Sequence, residues 1–169
     1  LYSSNPLNRG TSRLRVDEAA YLYKLVRAMA HPNAVEIGRY KGGTTLLLAA
    51  ASAEVTSLEN GRIPGQSDFS ESLIATLEQV GLRNNVEVIL ADALEYPARS
   101  ESYDLVFLDT GLDSFEMGKA FFDYWWKAVR KGGYFLFRDG KDTVLRETAR
   151  FVQTLSAEDI GGTIVSNIP

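Results

Sequence analysis

Segments with a helical apolar period alternate along this sequence with short apolar runs of strand length. Regular alternation of this kind is satisfied by parallel strands joined through right-handed crossover helices. Val16, Ala20, Tyr23, Val26 and Met29 form one apolar stripe, predicting a helix over 16–30 that His31-Pro32-Asn33 stops. Ala34–Gly38 reads as a buried strand running into a glycine turn, and Thr44–Ala53 as the helix that follows. Val55–Leu58 is a second strand ending at Glu59. A polar loop through Gly61, Pro64 and Gly65 leads from it to a helical segment over 68–80. Val86–Leu90 runs to Asp92 and Tyr103–Leu108 to Asp109. Phe115–Val129 is predicted as a long helix broken by Gly132-Gly133, before a fifth strand, Tyr134–Phe137, that ends at Arg138-Asp139. Asp142–Leu155 reads as a last helix and Thr163–Val165 as a sixth strand. The expectation is an α/β protein: a doubly wound, mostly parallel sheet in three α/β/α layers, with ligands at the carboxyl ends of the strands. One domain spans 1–169, with 1–13 as a flexible lead-in.

Length and charge narrow what such a sheet would do. At 169 residues the chain is one domain's worth, burying roughly 70% of its unfolded surface. Eighteen Lys and Arg against 22 Asp and Glu leave a net charge of -4, a field that repels polyphosphate and disfavours nucleic acid as a partner. With no cysteine and only His31 as histidine, thiolate nucleophiles, disulfides and multi-His metal sites are excluded, so any metal needs oxygen ligands. No apolar run approaches the roughly 20 residues of a membrane span and no signal-peptide pattern opens the chain, so the expected location is the cytoplasm.

The chemistry-bearing residues gather at the strand ends. The first βα turn reads Glu36-Ile37-Gly38-Arg39-Tyr40-Lys41-Gly42-Gly43-Thr44-Thr45. Its glycines let the backbone turn sharply, and the amides opening the next helix offer donors to a polar ligand. It is not a dinucleotide fingerprint, because Tyr40 takes the position of the second glycine and Gly42 falls at the fifth position. Taken alone the turn also reads as a tight connection with no ligand. Glu59 follows about twenty residues later, where a carboxylate accepts hydrogen bonds from both hydroxyls of a ribose. With Asp92 and Asp109 it makes three acids at successive strand ends, a crevice suited to a ribose, an amino group or a cation and not to a free phosphate.

The Glu-Ile-Gly-x-x-x-Gly-Gly-Thr-Thr turn, Leu58-Glu59, Leu90-Ala91-Asp92-Ala93, the strand Tyr103–Asp109 and Lys131-Gly132-Gly133-Tyr134 together resemble the class I S-adenosylmethionine-dependent methyltransferases over residues 14–140. Within that class the chain is most similar to small-molecule O-methyltransferases of the catechol and macrolide-sugar types. The resemblance implies a Rossmann-like fold and S-adenosylmethionine as cofactor. Glu36, Gly38, Gly42, Gly43 and Thr44 would lie at the cofactor's methionine end, Glu59 at its ribose, and Asp92 with Ala93 at its adenine edge. Asp109 would face the sulfonium and a small-molecule acceptor.

The catalytic half departs from the pattern. Metal-dependent relatives hold a divalent ion such as Mg with acids at the ends of strands four and five, where Asp109 and Asp139 stand here. Gly140, however, replaces a usual further ligand, and Leu112 replaces the lysine base of catechol-type enzymes. Macrolide-type relatives instead place a second acid or a histidine shortly after the first acid. The stretch Thr110–Glu116 is one residue longer here and lacks the histidine, and Asp113 is the residue available as a substitute. In the alternative reading Asp139 caps the following helix or pairs with Arg138. Phe121, Phe122, Tyr124, Trp125 and Trp126 are expected to pack on the sheet, their excess reaching a substrate pocket or a homodimer interface. Arg9, Arg13 and Arg15 read as a solvated cluster, and His31 as a loop residue. Class I methyltransferases finish their sheet with an antiparallel pair, so with one strand near 163–167 the expectation is a sheet one strand short: either a minimal version, or one whose C-terminal piece lies outside this sequence and whose open edge a partner subunit would cover. Besides a methyltransferase acting at a hydroxyl oxygen, two alternatives stand: a nicotinamide-dependent Rossmann oxidoreductase, and a non-catalytic module that binds S-adenosylmethionine.

Overall fold

A computed structural model of the chain describes residues 11–61, 69–111, 114–138, 150–151 and 154–155. Its elements are α1 (Val16–Ala28), β1 (Asn33–Ile37), α2 (Gly43–Ala50), β2 (Glu54–Glu59), α3 (Ser70–Gln79), β3 (Val86–Leu90), β4 (Tyr103–Leu108), α4 (Phe115–Trp125) and β5 (Val129–Phe137). The five strands form one sheet in the order β3-β2-β1-β4-β5, every neighbouring pair parallel. The winding reverses between β3 and β4, where the chain crosses to the far side of β1. A crevice therefore opens beyond the carboxyl ends of β1 and β4, the place where open α/β sheets bind ligands.

β1 is central and covered on both faces, so its side chains are buried in succession from Ala34 to Ile37. Ala34 and Glu36 face the layer of α1, α2 and α3, whose Leu22, Val26, Leu48 and Leu73 form one core cluster. Val35 and Ile37 face the other layer, where Val106, Leu108 and the fully buried Trp125 of α4 form the second. The helical aromatics divide between two partners. Trp125 stacks on Tyr96, while Phe122 stacks on Trp126 and packs against Phe135 of β5. α1 begins at a capping box, the Arg15 amide donating to Glu18 Oε2 at 2.8 Å.

One element differs from expectation. The helix predicted over 115–129 ends at Trp125, one 3₁₀ turn covers 126–128, and β5 starts at Val129 instead of Tyr134. Gly132 and Gly133 lie inside the strand. Tyr103 pairs with Val129 but Leu105 with Tyr134, so β5 bulges between them. Gly132 takes φ +83°, and a Cβ on Gly133 would sit 2.8 Å from the Asp104 carbonyl oxygen. A glycine pair that reads as a helix breaker is instead what lets the bulged strand lie against β4.

No helix among the described residues is long and apolar enough to cross a membrane. The predicted strand at 163–167 and most of the predicted helix 142–155 fall outside the described residues, as do Arg9, Pro64 and Gly65.

Candidate active site at the carboxyl ends of the strands

The site is organised by the first βα turn. β1 ends between β2 and β4, the Gly38 amide donating to Leu58 O and the Asp109 amide to Ile37 O, both at 2.9 Å. Gly38 has φ +85°, and a Cβ there would approach the Asp109 carbonyl oxygen to 2.7 Å, so only glycine lets the turn pass this close to the end of β4. Tyr40, at φ +50°, turns the next peptide, and the amides of Arg39 and Tyr40 point together at Glu59 Oε2, each at 3.2 Å. Consecutive amides in this conformation make a concavity for an anion. Here it is filled by the half-buried carboxylate at the end of β2, whose Oε1 accepts from the amides of Asn60 at 3.0 Å and Gly61 at 3.4 Å. The Ala91 amide donates to the Glu59 carbonyl at 2.9 Å, bringing the end of β3 alongside.

Asp92 closes the loop that follows β3. Its Oδ1 accepts from the Leu94 amide at 3.0 Å, and its carbonyl from the amides of Glu95 and Tyr96. Ala93 is buried, its carbonyl accepting from the Trp125 indole at 3.2 Å.

Glu36 faces inward beneath the turn and is fully buried. Its Oε2 accepts from the hydroxyls of Thr45 at 2.5 Å and Ser57 at 2.8 Å, while Oε1 has no hydrogen-bond partner. Burial pushes the carboxyl up to about 8. The two hydroxyls and Arg39 oppose that rise and the neighbouring Asp109 adds to it. Glu36 is accordingly a neutral acid at pH 7.

Sequence reasoning missed Arg39. A charged residue inside a glycine turn reads as solvent-exposed, yet this one is 3% exposed. Its Nη1 donates to the carbonyls of Ser57 at 3.1 Å and Ile89 at 2.7 Å, and its Nη2 to the Ser70 hydroxyl. It stitches β2, β3 and the start of α3 behind the turn.

The residues preceding α1 lie across the same turn. Gly42 caps α2, and the Gly43 amide donates to the Thr11 carbonyl at 2.9 Å. The hydroxyl of the buried Thr44 lies 3.4 Å from that of Ser12, also buried. The Arg13 guanidinium lies 4.5 Å over the Tyr40 ring. Two of the residues expected at the cofactor, Gly43 and Thr44, thus face residues 11–12 of this chain. Arg15 pairs on the surface with Asp17, and His31 sits exposed at the amino-terminal end of β1, away from the crevice.

Asp109 faces a cation. Its Oδ1 accepts from Arg138 Nη1 at 2.8 Å, with the two side chains 10% and 15% exposed, and Arg138 Nη2 donates to the Arg13 carbonyl at 2.5 Å. This departs from the metal-site expectation, because the carboxylate that would ligate the ion is engaged by a guanidinium. Among the described residues no group of three or more His, Cys, Asp or Glu is placed to hold a metal. Asp109 in this pairing does not fit a divalent ion. Asp139, Gly140, Leu112 and Asp113 fall outside the described residues. An open cavity of about 1080 Å³ lies at the opposite, amino-terminal ends of the strands, lined by Asn33, Glu54, Arg83, Tyr103 and Arg130 among others, and touches none of these groups.

A family profile described as a methyltransferase domain matches residues 35–140, more than half of the chain. No curated protein sequence matches it. Solved structures match in fold. A methyltransferase from Geobacter sulfurreducens is 21% identical at a TM-score of 0.68, over 84% of this chain and 70% of that one. An O-methyltransferase from Bacillus cereus in complex with SAH is 20% identical at 0.70, over 89% and 74%. The O-methyltransferase TomG from Streptomyces achromogenes, involved in tomaymycin synthesis and in complex with SAM, is 22% identical at 0.63, over 84% and 69%.

Proposed function

The chain belongs to the methyltransferase-domain family, and from that premise we propose that it transfers a methyl group from S-adenosylmethionine to a small-molecule acceptor, at a hydroxyl oxygen. The observation that carries this reading is the Glu59 carboxylate, presented at the end of β2 and aimed by two amides of the first βα turn. The vicinal hydroxyls of a ribose are two donors that fork onto one carboxylate, and charge-assisted bonds of this kind are the stronger class. A carboxylate has about four acceptor positions, and the longest of the contacts to Glu59, from Gly61 at 3.4 Å, is the weakest competitor for an incoming hydroxyl. Gly38 and Gly42 serve the methionine end with Glu36 beneath them, Gly43 and Thr44 act there only through the segment of residues 11–12 they hold, Asp92 and Ala93 serve the adenine edge, and Asp109 the side where the acceptor approaches. O-methyltransferases among the structures of like fold support hydroxyl oxygen as the target.

Bound S-adenosylmethionine supplies an electrophilic methyl group on a sulfonium sulfur. The chain's share is alignment. The turn holds Glu59 rigid through backbone donors, so orientation of the ribose needs no further ordering, and the close Gly38–Asp109 approach sets the acceptor side against the cofactor side. Neutral Glu36 adds no net charge beneath the turn.

Calorimetric titration with S-adenosylhomocysteine, alongside NADH, tests the reading. The intact protein binds S-adenosylhomocysteine and not NADH, and Glu59→Ala weakens the binding by at least about tenfold, the scale of a hydrogen bond to a charged group. Absence of S-adenosylhomocysteine binding by the intact protein, or preference for NADH, sinks it.

A further inference from the structure

We infer that Arg138 is the fixed cation of this site, standing at Asp109 in the place a divalent ion would take, so that the site is electrostatically complete without a metal. The inference rests on the methyltransferase reading for what the site does, but its geometry is independent of it. β4 and β5 are neighbours with Leu108 opposite Phe137, so Asp109 and Arg138 leave adjacent strand ends at the same level. The Arg138 amide donates to the Leu108 carbonyl at 3.0 Å and fixes the start of the side chain. The guanidinium then spans two acceptors, Asp109 Oδ1 and the Arg13 carbonyl.

A guanidinium is charged at every pH the protein meets, is planar, and carries five donors, so it serves as a permanent counter-charge for a nearly buried carboxylate. A divalent ion needs carboxylate oxygens at about 2.0–2.6 Å and no cation beside them. Arg138 holds that coordination position and repels a second positive charge. Glu36 lies close enough for Asp109 to act on it electrostatically but is itself neutral, so removing Arg138 would leave the nearly buried Asp109 carboxylate without a counter-charge, which attracts a cation. The contact to Arg13 also ties residues 11–14 to the same centre. Arg138 is thus a positioning residue for Asp109 and for the segment laid over the turn.

The test is a Mn²⁺ titration of the full chain followed by electron paramagnetic resonance, with S-adenosylhomocysteine affinity measured in EDTA and in millimolar Mg²⁺. The wild type shows no saturable Mn²⁺ binding, and any affinity for S-adenosylhomocysteine is the same in both buffers. Arg138→Gln acquires Mn²⁺ binding that a further Asp109→Asn abolishes, and its melting temperature falls. Arg138→Lys keeps the charge and restores both the metal-free behaviour and most of the melting temperature, a rescue that side-chain volume alone does not produce. If Arg138→Gln fails to fold, Arg138→Lys and the wild type still decide. Stoichiometric Mn²⁺ binding by the wild type that Asp109→Asn removes overturns the inference. So does Arg138→Gln with unchanged melting temperature and no gain of Mn²⁺. The Mn²⁺ result stands whether or not S-adenosylhomocysteine binds, so this inference and the methyltransferase reading fail separately.

Discussion

The two walls of the crevice handle negative charge by different means. On the β1–β2 side Glu59 is met by four backbone amides, which are dipoles fixed by the chain's own path. On the β4–β5 side Asp109 is met by a full positive charge on a side chain from 29 residues away. Between them Glu36 is met by hydroxyls and loses its charge to burial. A wall built from amides leaves its carboxylate able to accept further hydroxyls at no Coulombic cost. A wall built from a salt bridge has its charge balanced in advance, and breaking it exposes a buried ion.

That contrast predicts unequal responses. The largest belongs to Asp109→Ala, which leaves Arg138 nearly buried without its carboxylate and should destabilise the fold by about 3–5 kcal/mol in urea denaturation. Pairing Asp109→Leu with Arg138→Met should recover most of that loss, since the ion pair and an apolar pair of similar volume differ little. A double variant as unstable as Asp109→Ala would show that the pair's worth lies elsewhere.

Glu36 comes next, and its effect runs with pH. A folded carboxyl near 8 against an ordinary value of 4.5 means the native state holds an extra proton between those values. Its contribution is complete below about pH 4.5 and is lost as pH rises towards 8, at up to roughly 1.4 kcal/mol per pH unit. Glu36→Gln keeps the neutral form and should flatten this slope, so the stability difference between wild type and variant shifts in the variant's favour from pH 5 to pH 8. Parallel curves for the two proteins would place the ionised form in the core.

Glu59→Gln retains an acceptor but loses the charge. It should weaken S-adenosylhomocysteine by about tenfold or somewhat more and cost about 1 kcal/mol of stability, because the amide oxygen serves only one of the two pairs of backbone amides and the NH2 faces the other. A collapse of stability instead would make Glu59 chiefly a brace for the turn. The smallest effect is the control: Lys119 and Asp123 pair on the exposed face of α4, and Lys119→Ala should cost less than about 0.5 kcal/mol in the same denaturation.

Much of the fold was legible. The bounds of β3 and β4 agree with the runs Val86–Leu90 and Tyr103–Leu108: β4 is covered on both faces and carries an unbroken apolar run from Leu105 to Leu108, while β3, at the sheet edge with Glu87 and Leu90 exposed, is marked by its short β-branched run. β5 was legible only from Tyr134 onward. Whether Lys131-Gly132-Gly133 ends a helix or bulges in a strand depends on what β4 presents to it, here the Asp104 carbonyl. Spacing found Glu59 and Asp109 but not Arg39 or the use of Arg138, since a guanidinium inside a turn and one in a pair look alike as letters.

Local pattern therefore determined the kinds of element, their order, and the delivery of one acid to each of three successive strand ends, because periodicity and turn chemistry act between near neighbours. Asp92 is met locally by the Leu94 amide and Glu59 in part by the amides of Asn60 and Gly61, but only the tertiary structure decided what else balances Glu59 and what balances Glu36 and Asp109. The groups that do it, Thr45 and Ser57 for Glu36, the amides of Arg39 and Tyr40 for Glu59, and Arg138 for Asp109, lie 9 to 29 residues away along the chain and meet their carboxylates through the winding of the sheet.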